Sequence, residues 1–266
     1  MKLSLAARAG RDRPHGPTIG PGAQGYAGEM DSQERRSVLR AAVYRGDGPA
    51  VVDLLRGVGA YDDALQLAGD GLIAALMQRV DGAAELAREL VVALRRRGWD
   101  GDDELADELD ALLGSGPAPM LRALPVDLEK LAGIVEGDPL TAGGRIDVRT
   151  GEVWPMAAIE YALETGEEDE DSAEDPERWL PVHGEGSREG YMELFIASVE
   201  DPGRAERLAI AINGRGAFRR FKGELARSPG ELERWHAPAE ERQRGRARSW
   251  LAAAGYRSVP ADHRDP

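Results

Sequence analysis

The chain has 266 residues, enough for two domains of ordinary size, and its 42% hydrophobic content can build cores although aromatics are only 5%. With 34 Lys and Arg against 48 Asp and Glu, the formal net charge is −14, which argues against the whole protein coating nucleic acid or an anionic membrane. There is no cysteine, hence no disulfide, zinc–thiolate site or thiol nucleophile, and no apolar run long enough to span a membrane, so the cytoplasm is the expected compartment.

Residues 1–29 contain Gly, Pro and Arg without apolar periodicity and are expected to be a disordered tail. Met30 is an alternative to Met1 as the initiator, because Asp31 or Ser32 can cap a helix in which Val38, Leu39, Ala42 and Val43 recur at helical spacing. From there to residue 114 the pattern stays helical. Pro49 suits a first helical turn, and the sets Leu72/Ile73/Leu76/Met77, Leu86/Leu90/Val91/Leu94 and Leu105/Leu109/Leu112/Leu113 each define one buried stripe. Gly98 ends one helix, and the acids of the run Asp100–Glu104 are expected to be solvated charges in the first turn of the next. The stretch Ala41–Leu55 faintly resembles one ankyrin helix pair, but no second copy follows, so residues 30–114 are assigned to a separate all-α helical bundle.

Residues 115–119, within Gly-Ser-Gly-Pro-Ala-Pro, form a linker by composition. The domain that follows, 120–258, is predicted to be α+β, a small antiparallel sheet with helices packed on it. A short helix covers Val126–Glu136, and Arg145–Trp154 alternates around a Thr-Gly turn as a β-hairpin does. Another strand is expected at Arg178–Val182. Between the two, residues 164–177 carry nine acids and no base, the composition of a solvated loop. Helices are expected at 188–199, from Asp201-Pro202 to Gly214, over Ala217–Arg227, and from Pro238 to Gly255, with a short turn at Ser228-Pro229. Trp154, Trp179, Phe195, Phe218, Phe221 and Trp250 are expected in one second core. Residues 259–266 complete the chain as a second disordered tail.

The segments Gly143–Asp147, Arg149–Trp154, Arg178–Val182, Gly214–Lys222 and Arg246–Leu251 occur in an order that resembles a bacterial family known as Uncharacterised Protein Family 0158. The resemblance covers roughly residues 120–257, and the block Gly-Arg-Gly-Ala-Phe-Arg-Arg-Phe-Lys is its most specific element. It implies a relative and no activity. The family pattern continues Trp-Tyr-x-Phe after this block, whereas here Trp235 is followed by His236-Ala237-Pro238.

The usual chemistries find little support. No two of His15, His183, His236 and His263 share a metal-ligand spacing. His183 stands near Ser187, but no Gly-x-Ser-x-Gly elbow accompanies them. The acids at 167–177 and at 100–103 lack the calcium-loop pattern, and Gly143-Gly144 and Gly184-Glu185-Gly186 match no nucleotide loop. No catalytic, metal or cofactor-binding residue is therefore assigned. Lysine occurs only at 2, 130 and 222, so arginine number alone reflects coding bias and carries no argument.

One binding site is assigned. Arg204–Arg248 holds twelve bases and six acids, a local +6 that leaves −20 for the rest of the chain. Arg220 and Arg227 can pair with Glu224 along the helix, but Arg219 and Lys222 have no acid four residues on. With Arg215 just before the first turn, these two are placed to hold a phosphate or a carboxylate. The plainer alternative is that they neutralise the acidic loop or another acid of the fold. The reading adopted is a non-catalytic interaction or regulatory protein binding an acidic protein partner through Arg215, Arg219 and Lys222. Nucleic-acid or phosphorylated-ligand binding is the first alternative, and an enzyme using a carboxylate such as Glu152 or Glu193 the second.

Overall fold

A computed structural model describes residues 32–56, 64–166, 175–186, 188–214 and 216–260. The tail at 1–29, the alternative start at Met30 and the acids at 167–174 lie outside the described residues, as do 261–266 of the second tail.

Five helices make the first half: α1 (Ser32–Tyr44), α2 (Gly48–Arg56), α3 (Leu65–Met77), α4 (Ala83–Arg97) and α5 (Asp102–Leu113). Their stripes meet in one core containing Leu39, Val51, Leu55, Leu72, Ile73, Leu90, Leu94, Leu105 and Leu109, while Met77 and Leu112, expected on the buried stripes, are exposed. Removing each such leucine from water contributes roughly 2 kcal/mol. Gly98 and Gly114 close α4 and α5 in the left-handed conformation, as helix-ending glycines do.

The second half is α+β, as its pattern predicted. In order come β1 (Arg122–Leu124), α6 (Leu128–Val135), β2 (Gly143–Asp147), β3 (Val153–Pro155), α7 (Met156–Thr165) and β4 (Trp179–His183). After these come α8 (Arg188–Ala197), α9 (Pro202–Ala211), α10 (Ala217–Leu225), α11 (Pro229–Ala253) and β5 (Tyr256–Ser258). The hairpin β2–β3 pairs Ile146 with Val153, and β4 adds to the other edge of β2, giving an antiparallel sheet in the order β3-β2-β4. Asp147 shapes the turn by accepting from the amides of Arg149 and Thr150, and Arg178 pairs with its other oxygen at 2.8 Å. A parallel pair, β1 with β5, was not expected. Three-residue strands are too short to show alternation.

Three expectations are corrected. First, there are two cores in this half. One joins α6 and the sheet to Ala247 and Leu251; the other joins Phe195, Phe221 and Trp235, whose rings meet edge to face with centroids 4.8–6.0 Å apart. Trp154, Phe218 and Trp250 are only half-buried, and Trp154 and Trp179 instead flank the guanidinium of buried Arg145 at 5.6 and 3.7 Å. Second, Pro238 does not open the last helix. It lies inside α11, which starts at Pro229 and runs 25 residues. Burial of Trp235 before it and Ala239 after it holds the helix together, although a proline there costs about 3 kcal/mol. Third, Asp102 is not a solvated first-turn charge but a fully buried group, accepting from Gln66, from Arg97 and from the amide of Trp99.

That burial marks the join between the halves, along one face of α11. Arg248 donates to Gln66 and pairs with Asp70, and Arg244 pairs with Asp70 at 2.6 Å and Glu129 at 3.2 Å. Glu241 accepts from the amides of Gln66 and Leu67 at 2.7 and 3.3 Å and from Arg97 at 3.0 Å. Ala64, at the N-cap of α3, has no side chain able to cap; the Glu241 carboxylate, from far along the chain, takes that role. Arg257 of β5 reaches Glu108 of α5 at 2.5 Å, adding a further tie.

Candidate functional site: the face of helix α10 and a cleft beside α11

Helix α10 follows two left-handed glycines, Gly214 and Gly216. Its inner face buries Ala217, Phe221 and Leu225 completely or nearly so, and its outer face leaves Arg219, Arg220 and Lys222 exposed. The three cations have different surroundings. Arg220 turns back to donate to the carbonyls of Ala211, Asn213 and Gly214, where α9 ends. Glu224 is occupied by Arg207 and Arg227, so it is shared across two helices as well as along its own. Lys222 lies over the Phe218 ring at 4.9 Å, and neither it nor Arg219 has a carboxylate partner among the described residues. Arg219 and Lys222 are one turn apart, so they present adjacent charge.

Most of the local excess of base is used elsewhere. Arg244 and Arg248 go to Asp70, Arg246 to Glu185, and Arg204 to Glu231. For these arginines the structural alternative, pairing with acids of the fold, is what the structure shows. Arg215 lies outside the described residues, as does Ser187, the serine weighed with His183. His183 ends β4 and is exposed. Glu152 and Glu193 are exposed too. The carboxyl that burial pushes up is Glu108, which remains held by Arg257 with Arg248 nearby. Among the described residues, no three His, Asp or Glu side chains gather as a metal-binding group, and no helix is long and apolar enough to cross a membrane.

A second feature was not legible in the sequence. Between α8 and α11, and reaching Trp99 at the end of α4, lies a cleft of about 540 Å³ whose walls include Tyr191, Phe195, Trp235 and Arg242. Trp99 has two guanidiniums against its ring, Arg97 at 4.4 Å and Arg242 at 3.8 Å. Burial holds the Arg242 guanidinium below its ordinary value, and the neighbouring charge of Arg97 acts in the same sense, although Tyr191, Asp100 and Asp102 pull the other way. The contributors stand at positions 99, 191, 195, 235 and 242 on three separate segments, and helical spacing connects only Tyr191 with Phe195 and Trp235 with Arg242. Trp235 and Arg242 are seven apart on one helix, a signal hidden by taking Pro238 as a helix start.

The chain is thus a mostly helical α+β protein whose long C-terminal helix joins a helical bundle to a small sheet and displays a basic helix and an arginine-lined cleft beside it. Residues 159–265 match the family described as Uncharacterised protein family (UPF0158), as the resemblance implied. The match includes the strand at Trp179 and the whole of α10 and α11, but begins after the hairpin. Neither the curated proteins nor the solved structures contain a match to this chain.

Proposed function

We propose that this is a non-catalytic bacterial interaction protein that works in the cytoplasm and docks an acidic protein partner on the outer face of α10. The observation that supports this reading is the state of Arg219 and Lys222. Both are exposed on one face and have no acid against them among the described residues, while Arg204, Arg207 and Arg227 nearby are paired. A pair of unneutralised cations on a protein of net charge −14 offers a partner's carboxylates a local attraction that the rest of the surface opposes.

The test is capture from bacterial lysate with the full chain as bait, with and without nuclease, beside an Arg219→Glu/Lys222→Glu variant. An acidic protein that survives nuclease and is lost with the variant is the expected result. Equal recovery by wild type and variant overturns the proposal. Nucleic acid recovered by the wild type and stripped by moderate salt favours the alternative ligand class instead, since phosphate contacts weaken steeply with salt.

A further inference from the structure

The cleft beside α11 is separate from the α10 face, and its lining chemistry is specific. Its volume of about 540 Å³ falls in the range of small-molecule sites. One wall is apolar and aromatic, with Phe195 and Trp235 buried behind it and Leu194 exposed at its rim. Two of its neighbouring arginines have their donors engaged: Arg97 by Asp102 and Glu241, and Arg234 by Glu231 and the carbonyl of Ser198. Arg242 differs. It is half-buried, touches the Trp99 ring at 3.8 Å and Tyr191 at 5.8 Å, and finds neither a carboxylate nor a hydrogen-bond acceptor among the described residues.

A guanidinium carries a fixed fork of donors that matches one carboxylate in a two-point contact, and a partly desolvated one attracts such a group more strongly than a hydrated one does. A single unpaired guanidinium balances one negative charge, which favours a carboxylate over a phosphate monoester. The aromatic wall supplies stacking area for a flat body attached to that charge. We infer that the cleft binds a small aromatic carboxylate, with its ring against Trp99, Tyr191 and Trp235 and its carboxylate on Arg242.

The experiment is calorimetric titration of the full chain with naphthoate and, separately, with naphthamide, which has the same flat body and no charge. Naphthoate is expected to bind at least about tenfold more tightly than naphthamide, the scale of one charge-assisted contact. Arg242→Gln should remove that preference while leaving naphthamide binding unchanged. Leu194→Glu, at the exposed rim and not itself a member of the buried clusters, should weaken naphthoate by repulsion without altering the melting temperature. The inference is overturned if the two probes bind alike, if Arg242→Gln binds naphthoate as wild type does, if Leu194→Glu leaves naphthoate binding unchanged, or if neither probe saturates at millimolar concentration.

Discussion

Gly245, midway along the second half of α11, and Gly101, at the head of α5, lie backbone against backbone. A Cβ on Gly101 would stand 2.1 Å from the Gly245 carbonyl oxygen, and a Cβ on Gly245 would stand 2.1 Å from that of Asp100. Contact this close is available only where both residues lack a side chain, and it brings α11 near enough for Glu241 and Arg248 to reach α3.

Gly245→Ala should therefore push the helix off the bundle. The expected loss is about 2 kcal/mol, the scale of an overpacked core position. Gly133→Ala in α6, where an added Cβ meets nothing within 4 Å, should instead stabilise by roughly 0.5–1 kcal/mol through helix propensity. Urea unfolding of the two variants side by side measures both. Equal effects would mean that the glycine contact does not set the distance between the halves.

Glu241→Ala removes the cap of α3 and one partner of Arg97 together. A loss of roughly 3 kcal/mol is expected, because a nearly buried guanidinium keeps only Asp102 and two amides lose their acceptor. Hydrogen exchange should show faster opening at Gln66 and Leu67 before the rest of the bundle responds.

Acid should loosen the same join. Burial alone would raise the pKa of Asp70, but Arg248 and Arg244 outweigh it and hold the carboxyl below the usual carboxylate range. The unfolded chain therefore takes up this proton at higher pH than the folded chain, and the stabilisation from Asp70 is present at neutral pH and fades as pH falls through the folded value. Glu108 has the opposite sign: its raised pKa favours the fold at low pH and that contribution is lost as pH rises. Asp70→Asn should be less stable at neutral pH by roughly 3 kcal/mol, and should lose less than wild type between about pH 5 and pH 3. Thermal melts across that interval decide the matter; parallel curves would show that Asp70 is not coupled to the two arginines.

On α10, Arg219→Glu/Lys222→Glu should change stability by no more than about 1 kcal/mol, since among the described residues the Phe218 contact is what is lost. Arg220→Ala should cost about 1 kcal/mol or more, because its guanidinium closes three carbonyls at the end of α9. The comparison separates the charges that hold the fold from those that do not.

Local chemistry was enough to locate most elements. Apolar residues three and four apart place the bundle helices; Gly98 ends α4, Asp201 caps α9 through the Arg204 amide, and Thr150-Gly151 turns the hairpin. These signals are local because helix periodicity, capping and tight turns each involve residues only a few positions apart. The exposure of Arg219 and Lys222 was legible for the same reason: their lack of an acid four residues on is visible in the sequence, and the structure leaves them exposed.

Only the tertiary structure decided where the other charges go. Asp102 looks like a surface acid until Gln66, Arg97 and the Trp99 amide surround it, and Arg244 and Arg248 look like a basic surface until Asp70 meets them. Pro238 looks like a helix start until Trp235 and Ala239 are buried on either side of it. The cleft needs Trp99 from one half and Arg242 from the other. Whether a charge stays in water or finds a partner depends on which chain segment packs over it, and that is set by long-range contacts such as Gly101 with Gly245, which no local spacing encodes.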